Sequence, residues 1–118
     1  MKFREAFGIE KGDVVALIGA GGKTSLMVGI GYELAESGWR VLATTTARMP
    51  EEQLGLMPLA LPLDTDPEQL SRALTEHKFV MLYDRIVRGA AIGPLPEAVS
   101  RLLDVVDSDV MLVEADYA

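Results

Sequence analysis

Short apolar runs alternate with amphipathic segments along the whole chain. The β-branched run Val14–Ile18 lies between two glycines, which predicts a buried strand. The segment Thr24–Ser37 has aliphatic side chains at helical spacing and is followed by Gly38, a residue typical of a helix end. A second apolar run, Val41–Thr45, predicts another strand. The chain therefore opens with strand, loop, helix and strand.

The same alternation continues to the last residues. Pro50 and the two glutamates after it predict a short helix, whereas prolines interrupt the apolar run Leu59–Leu63 and argue against a central strand there. The other predicted elements are a helix from Asp66 to Glu76, strands Phe79–Tyr83 and Ile86–Ile92 with a hairpin turn about Asp84 and Arg85, a helix Pro96–Val106 and a central strand Asp109–Val113. This order predicts an α/β fold, a three-layer arrangement with a mostly parallel sheet and helices on both faces. Ligands of such sheets bind beyond the carboxyl ends of the strands.

The segment GAGGKTS, residues 19–25, joins the first predicted strand to the first helix. Glycines let the backbone turn its N–H groups inward, and the start of a helix offers unpaired N–H donors to an anion. Lys23 is placed to reach terminal phosphates, and Thr24 has a hydroxyl suited to Mg²⁺, with Ser25 as the neighbouring alternative. A dinucleotide fingerprint fails on spacing, because its third glycine would fall at Thr24. We therefore predict a phosphate loop of a nucleotide-binding domain.

The loop is shorter than the standard pattern, since Leu17 stands where the first glycine is required. It resembles the loops of peptidoglycan-precursor ligases and of deviant phosphate-loop ATPases, whose signature lysine is replaced here by Ile18. Arg48 follows the second strand and is a candidate for approaching the phosphates, although a solvated side chain is the favoured interpretation. Gly29 and Gly31, inside the predicted helix, indicate close helix packing.

Further candidate residues follow two of the strands. Thr44, Thr45 and Thr46 end the second strand at the edge where the loop is expected, so their hydroxyls are candidates for lining the site. Glu114 follows four apolar residues, as the acid of a Walker B strand does, and is the candidate metal ligand together with Thr24. The residues assigned to phosphate or nucleotide binding are Gly19, Ala20, Gly21, Gly22, Lys23, Thr24, Ser25, Thr44, Thr45 and Thr46. The catalytic candidates are Lys23, Glu114 and Asp116.

Net charge and composition limit the classes of binding partner and the cellular location that are expected. The chain of 118 residues has a net charge of −7 and contains no run of basic residues, so nucleic acid and membrane surfaces are not expected partners. It has no cysteine and no apolar stretch of membrane-spanning length, so a cytoplasmic protein is expected. Only five residues follow the strand Asp109–Val113, and residues 1–118 are therefore expected to be the N-terminal part of a longer, truncated nucleotide-binding domain.

The GAGGKTS loop, the TTTARM strand end and the final VEAD segment together resemble the selenium-dependent hydroxylase accessory proteins, the YqeC family. The resemblance implies a nucleotide-binding protein that takes part in maturation of selenium-containing molybdenum hydroxylases, with the hydroxylase or its maturation factors as partners. Family members are longer, and they usually have glycine where this chain has Tyr117.

Three functions remain open at this point. The first is binding and hydrolysis of Mg-ATP or Mg-GTP by an accessory factor. The second is an ATP-dependent ligase or small-molecule kinase, and the third is a nucleotide-sensing interaction module without turnover. No base-reading motif chooses between ATP and GTP.

Overall fold

Eight strands and four α-helices occupy the part of the chain that the computed structural model describes, residues 3–19 and 21–115. The strands are β1 (Val14–Ile18), β2 (Val41–Thr45), β3 (Arg48–Pro50), β4 (Leu59–Pro62), β5 (Phe79–Tyr83), β6 (Arg85–Val87), β7 (Ala90–Ile92) and β8 (Val110–Ala115). The helices are α1 (Phe3–Phe7), α2 (Lys23–Glu36), α3 (Pro67–His77) and α4 (Pro96–Val105), and a 3₁₀ helix spans Glu51–Leu56.

The main sheet has five parallel strands in the order β1-β8-β2-β5-β4. Strand β8, the last in the chain, lies between β1 and β2, as its uninterrupted apolar sequence predicts. In this register Glu114 is level with Leu17 on β1 and with Thr45 on β2. The carboxyl ends of three strands therefore finish side by side.

Helices pack on both faces of the main sheet and make two separate cores. On one face Met27, Ile30 and Leu34 of α2 join a buried cluster with residues of β2, β5 and β8. On the other face α3 and α4 bury Leu74 and Leu102 among residues such as Leu42, Val80 and Met111. The α/β prediction is confirmed, and the arrangement is compatible with a three-layer architecture of the phosphate-loop type.

Two side chains join the starts of β2 and β8. The Asp109 carboxylate accepts the Arg40 backbone N–H at 2.8 Å, and Arg40 also pairs through its guanidinium with Asp107 at 2.9 Å. The bond from the Arg40 N–H, together with the guanidinium, holds the pKa of Asp109 below its ordinary value. Because this pKa is lowered by folding, the stabilisation is complete above the ordinary value and is lost as pH falls through the lowered one. The contact holds the register that brings Glu114 level with Thr45.

Gly31 explains how closely α2 packs on the sheet. A Cβ atom at this position would lie 2.3 Å from the Phe79 ring of β5, whereas a Cβ at Gly29 would lie 3.1 Å from the edge of the Phe3 ring in α1. Phe79 is fully buried, so its ring has no room to move. Close packing, expected from the sequence, is therefore confirmed for Gly31.

We expect Gly31→Ala to lower the free energy of unfolding by about 1–3 kcal/mol, because a methyl group is forced into a filled core. Gly29→Ala is the matched control in the same helix. It is expected to be neutral or to stabilise by up to about 1 kcal/mol through helix propensity. Urea unfolding of both variants measures the difference, and equal stabilities would contradict the packing described here.

The first strand is less buried than its sequence predicts. The apolar run β1 lies at an edge of the main sheet, and Val14 and Ile18 are 47% and 52% exposed. The expectation of a buried strand is wrong for this face of β1, because α3 and α4 cover the strands farther along the sheet. Only the opposite face of β1, with Leu17, is packed against the core.

The predicted strand Ile86–Ile92 is two strands. β6 and β7 form an antiparallel hairpin that turns at Arg88 and Gly89, both with positive φ, as a two-residue hairpin turn requires. The hairpin turn expected about Asp84 and Arg85 is wrong, because β5 belongs to the main sheet and does not pair with β6. β7 also pairs with β3, giving a second, three-stranded sheet in the order β3-β7-β6.

Candidate functional site

The loop after β1 has the backbone that its glycines predict. Gly19, Gly21 and Gly22 have φ angles of 138°, 92° and 73°, values that favour glycine over other residues. Gly22 precedes the first residue of α2, and none of the described side chains caps this helix start. The first N–H groups of a helix lack partners within the helix, so this end presents donors and a partial positive charge. Ala20 lies outside the described residues.

Lys23, the first residue of α2, lies against the end of β8. Its Nζ donates a hydrogen bond to the Ala115 carbonyl oxygen at 3.3 Å, although the two residues are 92 positions apart. The ammonium group is thus held over the carboxyl ends of the central strands. The Ala115 carbonyl has no signature in the sequence, because any residue at this position supplies the same backbone oxygen.

Thr24 and Glu114 meet directly. The Thr24 Oγ1 donates to the Glu114 Oε2 at 2.7 Å, and Glu114 is 6% exposed. Neighbouring oxygen ligands of a Mg²⁺ ion lie about 2.9 Å apart, given metal–oxygen distances of about 2.0–2.1 Å and octahedral geometry. The two oxygens therefore have the spacing and the chemistry to hold one hard cation. Ser25 is exposed, and Thr24 is the hydroxyl residue beside the acid.

The three threonines at the carboxyl end of β2 have different surroundings. Thr44 is fully buried and its hydroxyl donates to the Leu82 carbonyl at 2.8 Å, inside the sheet. The Thr45 hydroxyl donates to the Glu114 carbonyl at 3.2 Å and accepts the Ala47 N–H. The Thr46 N–H donates to the same Glu114 carbonyl at 2.9 Å. Thr45 and Thr46 thus brace the residue that contacts Thr24.

The structure brings together predicted residues from three distant parts of the chain. Lys23, Thr24, Thr45, Thr46 and Glu114 converge at the carboxyl edge of β1, β8 and β2. Asp116 lies outside the described residues.

A cavity of about 330 Å³ adjoins the loop along the free edge of β1. Its lining includes Gly21, Gly22 and Lys23 together with Leu26 of α2 and Phe7 of α1. The loop residues therefore border open space large enough for a small ligand.

Comparison with known proteins gives the family of the chain. The family model described as YqeC protein matches residues 15–118, from β1 to the end of the chain. The chain belongs to the YqeC family. The Escherichia coli protein described as uncharacterized protein YqeC is 34% identical over 108 residues, which cover 87% of this chain and 40% of that relative. The chain thus spans less than half the length of this YqeC relative.

No solved structure matches the chain significantly. Within residues 3–19 and 21–115, no helix has the length and apolar character needed to cross a membrane. The resemblance to the YqeC family that the loop, the threonine triplet and the acidic strand end indicate is confirmed.

Proposed function

We propose that the protein binds a magnesium-bound nucleoside triphosphate, ATP or GTP, and hydrolyses it. The observation that carries this proposal is the 2.7 Å contact between Thr24 Oγ1 and Glu114 Oε2. A glycine-rich turn before a helix can be purely structural. A buried acid from the neighbouring strand, placed on the hydroxyl that follows the loop lysine, supports a site for a cation bound to phosphate.

The loop and Lys23 would hold the phosphates. Backbone N–H groups of the loop and of the first turn of α2 donate to phosphate oxygens. The Lys23 ammonium exchanges its 3.3 Å bond to the Ala115 carbonyl for the more negative terminal phosphate.

Thr24 and Glu114 would supply the protein ligands for Mg²⁺. When bound, the ion would neutralise phosphate charge and leave its other positions to phosphate oxygens and water. Glu114 is held for this task by Thr45 and Thr46, whose donors fix its backbone carbonyl. The acid therefore needs little rearrangement to act as a ligand.

Hydrolysis requires one water molecule in line with the terminal phosphorus. The water oxygen forms a bond to that phosphorus while the bond to the bridging oxygen breaks, which gives nucleoside diphosphate and inorganic phosphate. Lys23 and the loop N–H groups stabilise the charge on the transferring group. We assign Asp116, two residues after Glu114, to orienting the water and accepting its proton.

For the whole protein we propose an accessory role in maturation of selenium-dependent molybdenum hydroxylases, in the cytoplasm. Membership of the YqeC family supports this role, and the hydroxylase or one of its maturation factors is the proposed partner. The free energy of nucleotide binding and hydrolysis would drive a step of that maturation.

Magnesium dependence tests the proposed site. We expect calorimetric titration to show binding of Mg-ATP or Mg-GTP, and we expect Glu114→Gln to weaken the response to Mg²⁺. Changes next to a metal ligand cost about 10–100-fold in metal affinity, and loss of the ligand itself is expected to cost at least as much. Glu97→Gln is the matched control, since Glu97 is an exposed acid in the first turn of α4.

The outcomes separate the three candidate functions. Phosphate release without an acceptor supports hydrolysis, whereas release only with an added metabolite supports a ligase or kinase. Binding without turnover that changes the affinity for a partner protein supports a sensing module. If neither nucleotide binds at millimolar concentration, the proposed function is wrong.

A further inference from the structure

The three-stranded sheet stands beside the phosphate loop. β3 begins three residues after the end of β2, and β6 begins two residues after the end of β5, so both arise from the carboxyl edge of the main sheet. The Gly93 N–H donates to the Ala47 carbonyl at 3.1 Å, and the Asp84 N–H donates to the Ile92 carbonyl at 2.7 Å. The small sheet is therefore fastened to the same edge as Glu114 and Thr46.

This small sheet carries positive charge in an acidic protein. β3, β6 and the β6–β7 turn contain three arginines, Arg48, Arg85 and Arg88, and no acid, whereas Asp84, Glu51 and Glu52 adjoin these strands. The whole chain has a net charge of −7. A local excess of arginine on such a protein is a feature that its overall composition does not predict.

Arg48 and Arg85 lie on one face of the small sheet. Both are level with Ile92 of the central strand β7, one on each side. Residues level with one another in a sheet project to the same face, and two strand spacings separate the Arg48 and Arg85 Cα atoms by about 10 Å. The next residues, Met49 and Ala91, are buried, so they project to the opposite face, which packs on the core. The arginine face is therefore the outer one.

The two guanidinium groups are available to a ligand. Arg48 is exposed and makes no hydrogen bond or ion pair with any of the described residues. Arg85 has a side chain that is 65% exposed and pairs at 2.7 Å with the adjacent Asp84, itself 42% exposed. An exposed pair of this kind is typically worth less than about 1 kcal/mol. A stronger oxyanion can therefore displace Asp84.

We propose that Arg48 and Arg85 bind the oxyanion groups of a small second ligand that carries carboxylate or phosphate. Planar guanidinium groups match these oxyanions with two parallel hydrogen bonds. The positive charges of Arg48 and Arg85, one on each side of Ile92, repel one another. An anion bound between the two guanidinium groups offsets that repulsion. The edge strands are three residues long, which is short for pairing with an extended peptide and favours a small molecule.

The arginine face is connected to the proposed nucleotide site through Thr46. Arg48 follows Thr46 by two residues, and Thr46 is bonded to Glu114. Oxyanion binding at the arginine face does not depend on the proposed function. Its interpretation as binding of a second substrate rests on that function.

Nuclear magnetic resonance titration with citrate and, separately, with inorganic phosphate tests the arginine face at constant ionic strength. We expect saturable shifts in the backbone amides of residues 48, 49 and 85–92, both with and without Mg-nucleotide. Charge-assisted hydrogen bonds are the strong ones, so Arg48→Gln and Arg85→Gln are each expected to weaken citrate binding about tenfold. Arg88→Gln, at the turn, is expected to have a smaller effect. Arg72→Gln on α3 is the exposed control and leaves binding unchanged.

Three results would contradict the proposal that the arginine face binds oxyanions. They are shifts confined to residues 19–24, equal citrate affinity in the parent and in both arginine variants, or binding of a hexaglutamate peptide without binding of either small anion. Citrate binding without nucleotide binding would instead overturn the proposed function and leave the arginine face standing. The chemical shifts of unaffected residues show whether each variant is folded.

Discussion

The Lys23→Ala variant is expected to bind Mg-ATP or Mg-GTP between about 100-fold and 1,000-fold more weakly than the parent protein. Two unit charges about 4 Å apart interact with roughly 4 kcal/mol at an effective dielectric constant of 20, and each 1.4 kcal/mol is about tenfold in affinity. The loop N–H groups remain in the variant, so weak binding of phosphate persists. Isothermal titration calorimetry with each nucleotide measures the change.

The matched control is Lys11→Ala. Lys11 precedes β1 and lies 5.6 Å from the centre of the Trp39 ring, at the amino end of the strands rather than at the loop. This substitution removes the same charge and is expected to leave nucleotide affinity within about twofold. Lys11 is exposed and lies at the opposite end of the parallel strands from the loop, so water and salt largely screen its charge from the phosphates. If the Lys23 and Lys11 variants lose nucleotide affinity equally, the loss comes from the change in net charge, and the assignment of phosphate binding to the loop and Lys23 is wrong.

Gly93→Ala is expected to have the largest effect on stability, a loss of at least about 4 kcal/mol. A Cβ atom on Gly93 would lie 1.4 Å from the Thr45 carbonyl oxygen, and a backbone atom of β2 cannot move aside as a side chain can. Gly93 also donates its N–H to Ala47, so the two segments are held together at this point. Thermal unfolding followed by circular dichroism is expected to show a fall in Tm of roughly 10–20 °C.

Gly55→Ala provides the comparison for this variant. Gly55 lies in the 3₁₀ helix, and apart from its chain neighbours no residue that the structure describes comes within 4 Å of a Cβ atom at that position. Its Tm is expected to change by less than about 3 °C, which corresponds to the half a kcal/mol typical of surface substitutions. A Gly93→Ala protein that melts at the same temperature as the parent would contradict the close approach of Gly93, the residue after β7, to Thr45 of β2.

Much of the fold could be predicted because local patterns and tertiary packing agree. Asp66 caps α3 through the Glu68 N–H at 3.3 Å, and Gly38 adopts a φ of 88° after α2, as their residue types indicate. The uninterrupted apolar sequence of β8 predicts a central strand, since both of its faces are covered. In the site, the loop glycines and Lys23 could be identified because strand, glycine-rich loop and helix are contiguous in sequence.

Other features depend on partners distant in sequence. The face of β1 that carries Val14 and Ile18 is exposed because of the place of β1 in the strand order. The turn at Arg88 and Gly89 is not evident from the sequence because arginine is unusual at positive φ, and its position depends on the pairing of β6 with β7. Thr44 belongs to the same triplet as Thr45, yet it faces the Leu82 carbonyl because successive residues of a strand alternate in direction.

The amino-acid sequence alone determined strands β1, β2, β5 and β8, helices α2, α3 and α4, the glycine-rich turn between β1 and α2, and the chemical types available to a phosphate site. These follow from backbone preferences and hydrophobic periodicity, which act over a few residues. Only the tertiary structure decided that Glu114 lies 2.7 Å from Thr24 and that Arg48 and Arg85 share one face. Both facts depend on which strands become neighbours, and that choice depends on tertiary packing, above all on burial of the central strands between two layers of helices.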